Sequence, residues 1–173
     1  ALREILQLFY HGRGYISRKC CAYSRQEGVD GMKVRELMAS PVIQISPEES
    51  VAVAARTLAH YNIGVLPVCG GDGQLRGVVT DRDLVTRCLA LGRTPGTMTV
   101  REVMSPQVVA ASPDMDTGVA AHLMGRRQIR RLPVVENGRL CGMLSLGDLA
   151  VHEQSNPDAA DALADITSNI SRW

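Results

Sequence analysis

An internal duplication is the strongest constraint that this sequence places on its fold. The stretch VRELMASPVIQISPEESVAVAARTLAHYNIGVLPV, Val34 to Val68, aligns without a gap with VREVMSPQVVAASPDMDTGVAAHLMGRRQIRRLPV, Val100 to Val134, and 14 of the 35 aligned positions are identical. A shift of one residue in the following turn restores the register, so that Gly77 aligns with Gly142. Two copies of one short unit predict two similar structural motifs related by pseudo-twofold symmetry.

Each copy has the pattern of a β-α-β-β-α unit, which predicts an α+β fold. Apolar runs predict a first strand at Val42–Ile45 and at Val108–Ala111. Ser46 and Ser112 are each followed by proline and an acid, a pattern that favours a helix start with the serine as cap. One apolar helix face is then predicted in each copy, formed by Val51, Ala54, Ala55 and Leu58 and by Ala120, Ala121 and Met124.

A strand pair and a second helix complete each unit. VLPV and RLPVV are predicted buried strands, and each is followed by a turn and a second strand. The second turn contains Asn137-Gly138, a strong signal for an antiparallel hairpin. We therefore expect two antiparallel hairpins with helices covering one face.

The corner between the last strand and the last helix recurs in both copies. It reads LRGVVTDRDLV in Leu75–Val85 and LCGMLSLGDLA in Leu140–Ala150. The spacing of Thr80 to Asp83, and of Ser145 to Asp148, is that of a capping box, which satisfies backbone donors at a helix start. The same groups also suit a nucleotide, because a carboxylate accepts hydrogen bonds from ribose hydroxyls and backbone N–H groups favour phosphate. Both interpretations stand at this point.

The duplicated motif set resembles the tandem cystathionine-beta-synthase-type (CBS) domain pair, over about Met32 to Glu153. The resemblance rests on VREL/VM, on SP before the first helix, on I-x-x-LPV and on G-h-h-[ST]-x-x-D-L, where h is apolar. It implies a Bateman-type module, in which two motifs pack sheet against sheet with helices outside. The clefts of such modules hold adenosine ligands, here expected to be AMP, ADP or ATP and less often S-adenosylmethionine or NAD. Two such modules often form a flat dimer.

The resemblance also implies which residues contact the ligand. Asp83 and Asp148 would hold ribose hydroxyls, and Thr80 and Ser145 would contact ribose or phosphate. The base would lie between the first strand and the residues before each LPV. These positions are Val42, Gln44, Ile63, Val65 and Pro67 in one copy and Val108, Ala110, Ile129 and Pro133 in the other.

Arginines distinguish the two copies. GRRQIRRLPV carries Arg130 and Arg131 directly before LPV, where the first copy has Gly64 and Val65. Since similar domains use basic residues here for a nucleotide seated mainly in the other motif, Arg130 or Arg131 is expected to bind the phosphate of the ligand held by Asp83. That site would be the tighter one, and the Asp148 site would be weaker or prefer a less charged ligand. Arg82 is an additional candidate contact.

Composition narrows the function classes. The net charge of +1 disfavours a general nucleic-acid binder, and no apolar run approaches the ~18 residues of a membrane span. Five irregularly spaced cysteines without a CxxC pair favour reduced thiols and a cytoplasmic location. The four histidines lack metal-ligand spacing, and no GxSxG, HExxH or P-loop occurs. We expect no catalysis, no metal and no obligatory cofactor.

The chain divides into four predicted segments. Residues 1–31 are an extension that is expected to be non-native, translated from sequence upstream of a natural start at Met32. The motifs occupy residues 32–97 and 98–153. Residues 154–173 are a helix capped at Asn156, with Leu163, Ile166 and Ile170 as a stripe that docks on the domain or on a second subunit.

The expected function is a regulatory, homodimeric adenine-nucleotide sensor. Two alternatives remain: a structural dimerisation module with empty clefts, or the regulatory partner of an enzyme such as inosine monophosphate dehydrogenase.

Overall fold

Two similar sets of helices and strands make up the computed structural model, which describes residues 31–152 and 157–167. The first repeat contains α1 (Val34–Leu37), α2 (Val51–Tyr61), β1 (Val65–Cys69), β2 (Leu75–Thr80) and α3 (Asp81–Arg87), and a 3-10 turn at Leu89–Leu91 follows. The second contains α4 (Val100–Val103), α5 (Thr117–Arg127), β3 (Arg131–Glu136), β4 (Arg139–Ser145) and α6 (Leu146–His152), and α7 (Pro157–Thr167) ends it. The expectations for residues 1–30, Asn156 and Ile170 lie outside the described residues.

Each repeat builds one two-stranded antiparallel sheet. β1 pairs with β2, and this pairing begins with Val65 opposite Thr80. β3 pairs with β4, and this pairing begins with Arg131 opposite Ser145. Asn137 and Gly138 have φ of 51° and 81°, the two positive values that a tight hairpin turn requires. The predicted hairpins and the α+β class are confirmed.

The predicted first strands are wrong as regular elements. In each segment only the last residue forms a bridge, Ile45 with Val68 and Ala111 with Val134, both parallel. The preceding residues do not pair with the sheet of their own repeat. The chain just upstream of them pairs with the other repeat, where Ala39 bridges to Met143. An apolar run therefore does not extend into a strand when its backbone has no partner along most of its length.

The predicted helix starts are also wrong by several residues. Ser46 and Ser112 accept backbone hydrogen bonds in turns, from Glu49 and Met115. The helices begin later, where Ser50 accepts from the Val53 N–H at 3.3 Å and Asp116 caps α5. The Ser-Pro-acid pattern marks a turn before the helix in both repeats.

The short lead-in helices α1 and α4 are exchanged between the repeats. Val34 of α1 is buried in the core of the second repeat, and Val100 and Val103 of α4 are buried in the core of the first. Backbone pairs fix both crossings: Ala39 with Met143 at 2.8 and 3.0 Å, and Ser105 with Val78 at 2.8 and 3.0 Å. Each hydrophobic core is thus completed by the other repeat.

Exposed ion pairs repeat this exchange on the surface. Arg35 of α1 pairs with Asp114, and Arg101 of α4 pairs with Glu48 at the equivalent place. The Ser46 hydroxyl and then Arg101 hold the pKa of Glu48 below its ordinary value. Because these pairs are exposed, they contribute little to the free energy of unfolding.

Helix α7 makes the two repeats unequal. Its Ala162 and Ile166 are buried against the second repeat, and Ala121 beneath it is 1% exposed. Ala55, the counterpart of Ala121, is exposed, and among the described elements no helix covers α2 as α7 covers α5. The predicted apolar faces are therefore confirmed except at Ala55. The C-terminal helix docks on its own domain through Ala162 and Ile166, and the prediction that Leu163 belongs to the docking stripe is wrong, since Leu163 is 50% exposed.

The cysteines that the sequence places near the hairpins behave as small core residues. Cys69 is buried, and Cys141 is half-buried against the second core. Burial raises the pKa of the Cys69 thiol, and burial likewise raises the pKa of Cys141. Both thiols are therefore protonated and poorly nucleophilic near neutral pH.

The exchange depends on one glycine in each repeat. A Cβ on Gly77 would lie 2.8 Å from the Ser105 carbonyl oxygen and 3.0 Å from the Met104 sulfur, and a Cβ on Gly142 would overlap the Met38 side chain. Only glycine allows the lead-in segment to cross the strand this closely.

We expect Gly77→Ala to lower the free energy of unfolding by about 1–3 kcal/mol, because the Ser105 backbone cannot move aside without breaking its pairing. Urea denaturation measures the change. Gly96→Ala is the control, since a Cβ there meets nothing within 4 Å. Equal midpoints for the two variants would contradict this account of the crossing.

Candidate ligand-binding site

Both corners form the capping box that their spacing predicts. The Thr80 N–H donates to the Asp83 carboxylate at 2.9 Å, and the Asp83 N–H donates to Thr80 Oγ1 at 3.2 Å. In the second repeat the Ser145 N–H donates to Asp148 at 2.8 Å and the Asp148 N–H donates to Ser145 Oγ at 3.1 Å. The corners therefore have a structural role, whatever else they bind.

The carboxylate of Asp83 is also tied to the second repeat. Its other oxygen pairs with Arg87 at 3.1 Å, and the Asp83 side chain is only 13% exposed. Arg87 in turn donates to the Val103 carbonyl at 2.6 Å and to Ser105 Oγ at 3.1 Å. Asp83 thus connects its own helix to the exchanged segment, and both of its oxygens have partners within the protein.

Asp148 lies in a different environment, because it lines a cleft of about 270 Å³ between the repeats. Within the described part of the chain, one Asp148 oxygen has the Ser145 N–H as its partner and the other accepts no hydrogen bond from the protein. The cleft combines segments of both repeats. It is lined by Ala39, Pro41, Val42, Ile43, Ile63, Val65, Pro67, Arg131, Met143, Leu144, Ser145 and Asp148.

The cleft is apolar apart from three neighbouring groups, since Arg131 lies opposite Ser145 and Ser145 is hydrogen-bonded to Asp148. Ser145, Asp148 and Arg131 supply a hydroxyl, a carboxylate and a guanidinium, while the remaining walls are mostly aliphatic. Such a surface suits a flat apolar ring at one end and a hydroxylated, negatively charged group at the other. The geometry can therefore accept a nucleoside with an anionic substituent.

Arg131 lies between the repeats. Its guanidinium is 3.6 Å from the position that a Cβ on Gly64 would occupy, and the Asp81 carboxylate is 3.5 Å from the same position. Arg131 starts β3, opposite Ser145. The structure therefore brings Arg131 together with Asp148. That Arg131 binds the phosphate of a ligand held by Asp83 stays a prediction.

A second cavity of about 370 Å³ adjoins the cleft. It shares Arg131 and Ser145 with the cleft and adds Arg130, whose carbonyl accepts a hydrogen bond from the Leu146 N–H at 2.9 Å. Its other lining residues are Leu146, Gly147, Ala150 and Leu163.

The remaining predicted contacts line neither cavity. Val108, Ala110, Ile129 and Pro133 lie at the positions in the second repeat that Val42, Gln44, Ile63 and Pro67 hold in the first, and Gln44 itself is exposed. Thr80 and Asp83 form the first corner, and Arg82 is exposed on α3. Their predicted roles stay predictions.

Sequence reasoning missed the residues that depend on the exchange. Ala39, Pro41 and Ile43 line the cleft because the first lead-in segment crosses β4, and Met143 and Leu144 line it from that strand. Alignment of the two copies shows which residues are equivalent, and it does not show which copy a segment contacts.

The family follows from the matched residues. A model described as CBS domain matches residues 34–90 and 100–153. The chain is also 41% identical over 134 residues, 78% of its length, to the CBS domain-containing protein YhcV of Bacillus subtilis, of which it covers 94%. The protein belongs to the CBS domain family, whose paired domains form regulatory modules.

Solved structures support the same assignment. The Hypoxic Response Protein I with two coordinated zinc ions has a TM-score of 0.65 and 32% identity, covering 70% of this chain and 98% of that one. The CBS domain pair of MJ0100 in complex with 5'-methylthioadenosine and S-adenosyl-L-methionine has a TM-score of 0.65 and 26% identity, covering 72% and 97%. The predicted CBS pair is confirmed.

Two further findings concern metals and membranes. Across residues 31–152 and 157–167 no group of three or more His, Cys, Asp and Glu side chains is placed to hold a metal ion. None of the described helices has the length and apolar character of a membrane span.

The two corners should differ in their contribution to stability without ligand. Asp148→Ala removes one cap and should lower the free energy of unfolding by about 1 kcal/mol. Asp83→Ala should cost about 1–2 kcal/mol, because it also removes the ion pair with Arg87, whose side chain is 44% exposed. Chemical denaturation of the ligand-free protein measures both losses, and equal losses would show that the Arg87 pair adds nothing.

Proposed function

We propose that the protein is a non-enzymatic regulatory module that binds an adenine nucleotide in the Asp148 cleft. The coarse part of this proposal, a regulatory CBS pair, follows from the family. The finer part, an adenosine carrying phosphate, rests on the lining of the cleft. We propose that the base lies between Val42 and Val65, that Asp148 accepts hydrogen bonds from the ribose hydroxyls, and that Arg131 binds phosphate.

The observation that carries the proposal is the unequal state of the two carboxylates. Both oxygens of Asp83 have partners, in Thr80 and Arg87, whereas Asp148 lines the cleft and keeps an oxygen without a partner among the described residues. A carboxylate with an available oxygen beside a hydroxyl is a strong acceptor for a vicinal diol. The sequence alone ranks the Asp83 site first, and these contacts are our reason for ranking the Asp148 cleft first.

The regulatory step would be a shift between arrangements of the two repeats. The cleft takes its walls from both repeats, so a ligand that fills it contacts both at once. A ligand changes such an equilibrium only by its difference in affinity for the two states. We propose that the protein senses its ligand through this coupling. We also propose a cytoplasmic location, because the irregularly spaced cysteines favour reduced thiols.

Asparagine substitutions test the assignment. Asp148→Asn keeps an acceptor for the Ser145 N–H and removes the negative charge, so ligand-induced thermal stabilisation by AMP, ADP or ATP should fall by most of its value. Differential scanning calorimetry with each nucleotide, adenosine, S-adenosylmethionine and NAD measures it.

Asp83→Asn is the matched control, since it alters the equivalent cap outside the cleft. It should retain the stabilisation seen with the wild-type protein. Loss in Asp83→Asn with retention in Asp148→Asn would reverse our ranking, and no stabilisation of the folded wild-type protein by any of these compounds would overturn the proposed function.

We also propose a homodimer through an exposed face of the first repeat, which none of the described helices covers. This face consists of Ala55, Ala59 and Val85, all exposed. Their counterparts Ala121, Gly125 and Ala150 lie beside α7: Ala121 and Gly125 are buried, a Cβ on Gly125 would be 3.2 Å from the Ala162 Cα, and Ala150 lines the cavity that Leu163 also lines. The chain itself thus shows that a helix fits this kind of face, and a helix of a second copy is the proposed occupant.

Val85→Asp should convert the dimer to a monomer, because a charge would be buried where two apolar helix faces meet. Sedimentation equilibrium measures the mass. Val119→Asp, at an exposed position of α5 outside the face, is the control and should remain dimeric. A monomeric wild-type protein would overturn the proposal.

The two alternatives from the sequence stay predictions. The nucleotide titrations above separate an empty structural module from the sensor, and a partner of an enzyme such as inosine monophosphate dehydrogenase is tested instead by binding of that enzyme.

A further inference from the structure

Each crossing brings a methionine sulfur against the backbone of the strand that it crosses. Met38 follows α1 and Met104 follows α4, at equivalent positions of the two repeats. A Cβ on Gly142 would overlap the Met38 sulfur, and a Cβ on Gly77 would lie 3.0 Å from the Met104 sulfur. The thioether groups therefore occupy the space that a side chain at these two glycines would fill.

These two methionines lie at the edges of the cores. Met98 and Met124 are 7% and 0% exposed, whereas Met38 and Met104 are half-buried. Met38 packs against the core of the second repeat, and Met104 packs against the core of the first. A small solute can therefore reach both side chains from water, and a chemical change at them affects both cores.

The backbone donors at the crossings are already in use. The N–H groups of Ala39 and Met143 donate to each other's carbonyl oxygens at 2.8 and 3.0 Å, and those of Ser105 and Val78 do the same. A polar atom added to either sulfur would compete with these pairs or would receive no hydrogen bond from them. Either outcome weakens the crossing, because an unpaired polar group in a packed contact costs free energy.

We propose that Met38 and Met104 are modification sites, at which a peroxide oxidises the thioether to the sulfoxide and loosens both crossings. With hydrogen peroxide, the sulfur attacks one oxygen, the O–O bond breaks, and the products are the sulfoxide and one water. The sulfur loses two electrons and the peroxide gains them. The product is polar where the thioether is apolar.

This modification would give the module an oxidant input that needs no ligand. Loosening the crossings separates each lead-in segment from the core that it completes. It also shifts Ala39, which follows Met38 and lines the Asp148 cleft. The change is reversible, since methionine sulfoxide reductases restore the thioether.

Leucine substitutions test the proposal in the full chain without ligand. Leucine is close to methionine in volume and has no sulfur, so the double variant Met38→Leu, Met104→Leu should fold normally. After limited treatment with hydrogen peroxide, the melting temperature of the wild-type protein should fall by about 5 °C or more, and that of the double variant by less than about 2 °C. A thiol reductant is added before each calorimetric scan, so that any disulfides are reduced. Peptide mapping by mass spectrometry should find one added oxygen on Met38 and on Met104.

The double variant Met32→Leu, Met115→Leu is the matched control. It also removes two sulfurs, and neither is among the atoms that approach Gly77 or Gly142 most closely. It should retain most of the fall that oxidation causes in the wild-type protein. An equal fall in the wild-type protein and in Met38→Leu, Met104→Leu would overturn the proposal, as would the absence of added oxygen from both sulfurs.

Glutamine substitutions and enzymatic reduction test the two remaining steps. Met38→Gln and Met104→Gln each place a polar amide at a crossing, so each variant should melt at a lower temperature than the corresponding leucine variant. Methionine sulfoxide reductases should restore the melting temperature of the oxidised wild-type protein. Glutamine variants as stable as the leucine variants would overturn the weakening of the crossings, and a failure to recover would overturn the reversibility. Since all of these measurements use ligand-free protein, their outcome is independent of the nucleotide titrations.

Discussion

The close crossing of each lead-in segment over a strand of the other repeat is the constraint on which the rest of this structure depends. The crossings join Ala39 to Met143 and Ser105 to Val78 through pairs of backbone hydrogen bonds. They bury valines of α1 and α4 in the opposite core, so neither repeat completes its core alone. They also carry residues 39–43 over β4, and this placement gives the Asp148 cleft one wall from each repeat. The same crossings therefore complete the two hydrophobic cores and form the candidate site.

Much of the fold is predictable because its signals are local or duplicated. The hairpin at Asn137-Gly138 follows from the need for two positive φ angles, and the corners at Thr80 and Ser145 follow from the capping-box spacing. The first strands and the starts of α2 and α5 are not predictable in this way. Their backbones are positioned by partners in the other repeat, and local propensity carries no information about such partners.

The sequence predicts the residue types of the candidate site better than it predicts which of these residues lie together. Asp148, Ser145, Val42 and Val65 line one cleft, and the ligand contacts expected of them stay predictions. The partners of each carboxylate could not be predicted from the sequence. Arg87, at the end of α3, pairs with Asp83 and also contacts the exchanged segment. An arginine four residues after an aspartate is ordinary on a helix, and only the structure shows that it occupies an oxygen that a ribose would need.

Duplication explains why two equivalent corners can take different roles. A capping box stabilises its helix in both repeats, so either carboxylate can gain a second partner without loss of the fold. In the first repeat that partner is the protein itself, through Arg87. In the second, two arginines precede β3, and Leu163 of α7 lines the cavity next to the cleft. The arginines raise the positive charge beside Asp148, whereas Leu146 and Gly147 in place of Asp81 and Arg82 leave the net charge unchanged. This asymmetry supports our proposal that the ligand binds on the Asp148 side, because Asp83 is instead tied through Arg87 to the segment exchanged between the repeats.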